Sequence, residues 1–265
     1  MLQAARLLVD SGVQLIDLTM GEDPHILEDS GVSNLLDCIR SIREETGATI
    51  MISPGVASRG LLEKFKRSGV DWYACYQETH NRQLFAGLRP KQDYEARLNA
   101  KRRAKRAGLL VEEGLLCGVG ESIEDIAGSI EVMKDLDADQ VRVMTFVPQE
   151  GTPLGGRQAP DFQRELLTIA VLRLVFPDRL IPASLDVDGL RGLRERLEAG
   201  ANVVTSIVPA GQGLSGVAQE SLDIEEGKRM VGGVEKVLAG CNLQAATMSE
   251  YNLWIKNRCQ SLLPN

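Results

Sequence analysis

The sequence predicts an α/β protein built on a parallel TIM-type (βα)8 barrel from which the first strand is missing. Three observations predict it. Strand-like and helical segments alternate through nearly all of the 265 residues. The alternation repeats seven times at roughly 25–38 residues per unit, which favours a closed barrel over an open doubly wound sheet. The chain also opens on an amphipathic helical stretch, "MLQAARLLVDSG", rather than on a strand.

The strand-like segments are, in order, "VQLIDLT" (13–19), "ATIMIS" (48–53), "VDWYACYQ" (70–77), "LLVEEGLLC" (109–117), "QVRVMTFV" (140–147), "RLIPASL" (179–185) and "NVVTSIV" (202–208). Helical patterns follow them near 29–46, 58–68, 93–107, 122–136, 161–175, 188–199 and 223–239. The connectors "ETG", "RSG", "RAG" and "EAG" place a glycine where each helix should stop. No linker or low-complexity tract interrupts the pattern, so residues 1–265 are expected to form a single domain.

Composition narrows the function classes. The chain is 43% apolar and carries a net charge of −7, which suits a soluble cytoplasmic protein and disfavours nucleic acid as a partner. The basic run "KRRAKR" at 101–106 sits inside a helical pattern and reads as a solvated face. No apolar run approaches the ~18 residues that a membrane helix requires. Cys38, Cys75, Cys117, Cys241 and Cys259 have no metal-binding spacing, and the only histidines are His25 and His80. Neither a disulfide framework nor a metal site is expected.

The informative residues cluster where strands end, which is where parallel α/β proteins hold ligands. "LIDLTMGEDP" delivers Gly21, Glu22 and Asp23 at the end of the first strand, and the glycine permits close approach of a ligand to the backbone. Glu78 ends the third strand, and Arg97 follows nineteen residues later; together they suit a polar, zwitterionic ligand, or else form a surface ion pair. In "GLLCGVGES", Gly114 and Gly118 clear space along the fourth strand, and Glu121 follows. Arg142 shares a strand face with Met144, and if that face is interior the guanidinium suits a carboxylate. Ser184 and Asp186, two apart, point the same way, although Asp186 is also placed to cap the next helix. Gly211, Gly213 and Gly216 follow the last strand. A dinucleotide fingerprint belongs in the first βαβ unit, so this run reads as an anion-friendly loop.

The stretches "LIDLTMGEDP", "YQETHNRQLFAGLRP", "GLLCGVGES", "FVPQEGTPL" and "ASLDVDGL" together resemble the radical S-adenosylmethionine (SAM) enzymes of the group containing biotin synthase and the iron-only hydrogenase maturase. Within that group the chain is most similar to the methylornithine synthase family of pyrrolysine biosynthesis. The resemblance implies a radical SAM barrel and an isomerase that converts lysine to 3-methylornithine through a 5′-deoxyadenosyl radical. It implies SAM and a 4Fe–4S cluster as cofactors, and an electron donor such as flavodoxin or ferredoxin. By the same resemblance Met20, Gly21 and Glu22 bind the amino end of SAM, and Glu78 and Arg97 grip its ribose and methionine parts. Gly118 and Glu121 belong to the motif beside the adenine, with Phe146 and Val147 in the adenine-packing segment. Asp23, Arg142, Ser184 and Asp186 match positions that hold the amino-acid substrate.

The family's C-x3-C-x2-C signature, whose thiolates ligate the cluster, has no counterpart in the sequence. The first strand and the cluster loop are therefore expected to be missing together, leaving an N-terminally incomplete, inactive chain with no assignable catalytic residue and no metal ligand. Another biotin-synthase-like activity and a non-catalytic SAM- or amino-acid-binding barrel remain alternatives. An aldolase-type barrel ranks below both, because no strand end carries a Schiff-base lysine.

Overall fold

The computed structural model describes residues 1–158, 160–209 and 229–261. Helix α1 (Leu2–Asp10) leads into β1 (Leu15–Thr19). A 3-10 helix (Pro24–Leu27) and α2 (Asp29–Thr46) precede β2 (Thr49–Ser53), and α3 (Arg59–Arg67) precedes β3 (Trp72–Ala74). Two helices, α4 (Arg82–Leu88) and α5 (Tyr94–Arg106), lie between β3 and β4 (Leu110–Cys117). Then follow α6 (Ile123–Asp135), β5 (Gln140–Thr145), α7 (Phe162–Val175), β6 (Pro182–Ser184), α8 (Leu193–Ala199), β7 (Val203–Thr205), α9 (Val231–Gly240) and α10 (Met248–Ser261).

All seven expected strands are present. The first five form one sheet in the order β1-β2-β3-β4-β5, and β6 pairs with β7. Strands β1 to β4 run parallel to their neighbours, as do β6 and β7. The fold class is therefore the α/β, parallel-strand class that the sequence pattern calls for. The glycine run at 210–216 and the first part of the helix expected from 223 lie outside the described residues. No described helix is long and apolar enough to cross a membrane.

The chain divides into two compact units. One comprises Met1–Tyr76, Asp93–Glu112 and Ala246–Asn265, and the other Gln77–Gln92 and Glu113–Ala245. In the first unit, β2 (TIMIS) is buried from Thr49 to Ile52, as expected of a strand covered on both faces. Helix α2 lays Leu35, Ile39 and Ile42, one stripe at helical spacing, into this core. Ser58 starts α3 by accepting the Leu61 N–H at 3.3 Å, and Asp93 starts α5 by accepting that of Ala96 at 2.6 Å. Helix α10 closes the amino-terminal ends of the strands. The Gln14 amide donates to the Ala246 carbonyl at 2.6 Å, and Trp254 stacks on Trp72, the first residue of β3, with ring centroids 6.0 Å apart. Such a stack contributes about 1 kcal/mol beyond the area it buries.

In the second unit, Ser122 and Asp125 form a reciprocal capping box at the start of α6. Helices α7 and α8 are tied by a buried ionic group: the Arg196 guanidinium donates to Glu165 and, at 2.7 Å, to Asp188. Burial pushes the Asp188 carboxyl above its ordinary value, and the Arg196 charge opposes that rise.

Candidate functional site

In the first unit, β1 ends by handing the chain through Met20 and Gly21, whose φ is +60°, to Glu22 and Asp23. The Asp23 carboxylate caps the 3-10 helix by accepting the His25 N–H at 2.9 Å, and the residue is exposed. Glu22 forms an ion pair with Arg97 of α5. Arg97 is almost wholly buried and also donates to the Tyr76 carbonyl, at 3.2 Å from Nε and 2.6 Å from Nη2. Three donors are thereby engaged by two acceptors, which fixes the guanidinium. Gly55, after β2, makes room for the pair. Its φ is +79°, and a Cβ there would lie 2.3 Å from the Glu22 Cγ. No side chain fits between them.

In the second unit, Glu78 takes a left-handed backbone conformation, φ +65°, and its carbonyl accepts the Leu116 N–H at 2.9 Å. A non-glycine residue is strained in that region, and such strain gathers at functional sites. The carboxylate of Glu78 is held by Arg89 at 2.6 Å. The two residues that the sequence offered as partners thus have different companions: Glu78 takes Arg89, and Arg97 takes Glu22. Arg89 lies inside "YQETHNRQLFAGLRP", so its signal was available in the sequence.

The end of β4 is a backbone nest. The N–H groups of Gly118, Val119 and Gly120 all donate to the Glu121 carboxylate, at 2.9 to 3.1 Å. Arg164 adds a contact at 3.2 Å. At Gly118 a Cβ would lie 2.3 Å from Pro160, so the side-chain-free position lets the 160 segment close over the nest. A cavity of about 490 Å³ opens here, lined by Gly118, Glu121, Arg157 and Arg164 among others. Phe146 and Val147 leave β5 half-buried, and the Phe146 N–H donates to the Cys117 carbonyl at 2.8 Å. Burial pushes the Cys117 thiol up to about 12, so it stays protonated at neutral pH.

Arg142 is buried, which excludes the outward orientation, and donates to the Thr205 hydroxyl at 3.0 Å. Ser184 and Asp186 do converge: the Asp186 N–H donates to the Ser184 hydroxyl at 3.2 Å. Asp186 does not cap the next helix, because α8 begins only after Gly192. Its carboxylate instead accepts the Ser206 hydroxyl at 2.6 Å and the Arg229 Nη2 at 2.7 Å. Ser206 and Arg229 escaped sequence reasoning. A left-handed serine, φ +66°, leaves no compositional mark, and Arg229 comes 43 residues after Asp186.

No protein-family model matches the chain. It is similar to the 3-methylornithine synthase of Methanosarcina acetivorans, with 43% identity over 249 residues, covering 94% of this chain and 71% of that one. It is also similar to the [FeFe] hydrogenase maturase subunit HydE of Thermotoga maritima, with 34% identity over 76% of this chain and 58% of that one. Among solved structures, the crystal structure of methylornithine synthase (PylB) superposes with a TM-score of 0.89 at 43% identity, covering 96% of this chain and 74% of that one.

Proposed function

Since the chain belongs to the methylornithine synthase family of radical SAM enzymes, we propose that it binds SAM and a small diamino acid, and that the reaction it serves is the isomerisation of lysine to 3-methylornithine in pyrrolysine biosynthesis. Lysine and 3-methylornithine are isomers, so the carbon skeleton is rearranged and no atom is lost.

The observation that carries this reading is the Glu22–Arg97 pair at the end of β1. The methionine part of SAM is a zwitterion. A carboxylate beside a buried guanidinium is its mirror image: Glu22 takes the ammonium and Arg97 the carboxylate, and one internal ion pair is exchanged for two with the ligand. Met20 and Gly21 supply the adjoining backbone. The remaining cofactor positions, Glu78, Gly118, Glu121, Phe146 and Val147, keep the roles that the family resemblance gives them. When bound, SAM supplies the 5′-deoxyadenosyl group whose radical takes a hydrogen from lysine; the protein's part is to hold the reactants and exclude water. Arg142, Ser184 and Asp186 are assigned to the amino acid, the guanidinium to its carboxylate and Asp186 to an ammonium group, with Asp23 for a second ammonium.

The cysteines are a separate matter. Among the described residues no group of three or more His, Cys, Asp or Glu side chains is placed to hold a metal ion. Cys75 and Cys117 are buried, and none of the five cysteines is in a disulfide. Among the described residues these cysteines do not gather into the three-thiolate set that holds a 4Fe–4S cluster. A SAM- and amino-acid-binding protein that does no radical chemistry is the second reading. An electron donor such as flavodoxin or ferredoxin belongs to the first reading alone.

Calorimetric titration of the full chain with SAM, then with lysine, tests the proposal. Both should bind, and Glu22→Gln should weaken SAM by about tenfold or more through loss of a charged hydrogen bond. Failure to bind SAM, or unchanged affinity in Glu22→Gln, overturns it. Chromatography of anaerobic incubations with reductant, SAM and lysine then separates the two readings: 3-methylornithine and deoxyadenosine support the isomerase, and neither product supports the binding protein.

A further inference from the structure

Asp186 is held more elaborately than a ligand-binding carboxylate needs to be. One oxygen, Oδ2, accepts the Ser206 hydroxyl at 2.6 Å, and the other, Oδ1, accepts the Arg229 Nη2 at 2.7 Å. Arg229 grips Ser206 as well, donating to its carbonyl from Nη2 at 2.8 Å and from Nε at 3.1 Å. Its own carbonyl accepts the Val208 N–H at 3.3 Å. The arginine is thus fastened to the segment after β7 by side chain and by backbone. It is 1% exposed, yet its Nη1 has no acceptor among the described residues. A buried guanidinium donor without a partner is costly, and Ser206 adds the strain of a left-handed, non-glycine residue. Two unfavourable features therefore converge on one carboxylate, and a fold does not need either to close a strand end.

We propose that Arg229 is the positioning residue of the amino-acid site, fixing the charge and direction of the Asp186 carboxylate so that its Oδ2 edge, shared with Ser206, faces the ligand's ammonium group. The inference rests on the assignment of Asp186 to the amino acid. An ionised carboxylate offers about four lone-pair directions. Arg229 and Ser206 use some of them and lock the plane of the group; a direction left over takes the ammonium. The guanidinium fork suits this better than a lysine would, because it holds Oδ1 and the Ser206 carbonyl in one rigid plane. Outer partners of metal ligands act in the same way, and their loss costs roughly 10–100-fold in affinity.

The test is calorimetry on the full chain with L-lysine and, separately, with SAM. The variants are Arg229→Gln, Arg229→Lys, Asp186→Asn and the double substitution Arg229→Gln with Asp186→Asn. Arg229→Gln should weaken lysine by about tenfold or more and leave SAM within about threefold, a split that general destabilisation would not give. Arg229→Lys should fall between that variant and the parent. The double variant should bind lysine no more weakly than the worse single one, because both act through one carboxylate. Parent-like lysine binding in Arg229→Gln, with Asp186→Asn impaired, overturns the inference and leaves the site assignment standing. Parent-like binding in Asp186→Asn removes both, and is recognised by that variant alone. If Arg229→Gln does not fold, Arg229→Lys decides: lysine weakened with SAM unchanged supports the inference, and parent-like lysine binding overturns it.

Discussion

The two units each place a carboxylate–guanidinium pair at a strand end, and the pairs differ in burial. In the first, Arg97 is buried but the side chain of Glu22 is 39% exposed. In the second, Arg229 is 1% exposed and Asp186 only 16%. A half-exposed pair gains little from its Coulomb attraction, because water screens it, and so its members can exchange partners at small cost. A buried pair has already lost its hydration, and separating it leaves an uncompensated charge. The same two functional groups therefore serve opposite ends. Glu22–Arg97 is built to be opened by a zwitterion, whereas Asp186–Arg229 is built to stay shut and present one face.

The sharpest way to break this contrast is to remove the cation from each pair and measure stability by urea denaturation. Arg229→Met is expected to cost about 3 kcal/mol, as buried pairs do when one partner is deleted. Arg97→Met should cost about 1 kcal/mol, much of it from the bonds to the Tyr76 carbonyl. Equal losses would mean that burial does not distinguish the pairs.

A smaller effect sharpens the first half of the comparison. Gly55→Ala forces a Cβ against Glu22 and into a left-handed conformation. It should cost roughly 1–2 kcal/mol in backbone strain and weaken SAM, because Glu22 must move away from Arg97. Unchanged SAM affinity would show that Glu22 needs no fixed position.

The smallest effect sets a baseline from a carboxylate held by neutral donors. Asp125 accepts the Ser122 N–H at 2.9 Å and the Asn81 amide at 2.7 Å, and these bonds, the backbone one first, hold its carboxyl below the ordinary 3.8. A lowered folded value contributes stability that is complete above the unfolded value and is lost as the pH falls through the folded one. Asp125→Asn should thus be less stable than the parent at neutral pH, with the gap closing only below 3.8. A gap that persists in strong acid would point to the amide's geometry rather than to charge.

Much of the fold was legible because hydrophobic alternation and helix stops repeat along the chain. The structure departs from the sequence pattern where the backbone leaves regular geometry. The third strand was expected over 70–77, but its ladder in β3 runs only from Trp72 to Ala74 before the chain bends into the left-handed Glu78. The last strand likewise stops at Thr205, before left-handed Ser206, and not at 208. The helix expected from 188 begins at Leu193, because the chain first turns through Gly189. Helix α10 went unread although Thr247 and Glu250 form a capping box, with Glu250 accepting the Thr247 N–H at 2.7 Å and Thr247 accepting the Glu250 N–H at 3.2 Å. At the candidate sites, side-chain type and strand position were enough to bring Glu22, Arg97, Arg142, Ser184 and Asp186 forward. They were not enough to pair Glu78 with Arg89, and they gave no hint of Ser206 or Arg229. Partners so distant in sequence leave no local period to read.

The stacking of Trp254 on Trp72 and the bond from Gln14 to the Ala246 carbonyl set an order of completion. A ribosome would release the strands that α10 closes well before α10 itself. The longer segment of the second unit, Glu113–Ala245, emerges between them. Contacts separated by 232 residues must wait until both ends of that span are made, and non-local closure of this kind slows folding. The first unit is thus begun before the second and finished after it, with the apolar base of β1, β2 and β3 uncovered until α10 is made. A nascent chain stalled before residue 246 would expose that base to solvent, and to any chaperone that recognises unsheltered strands.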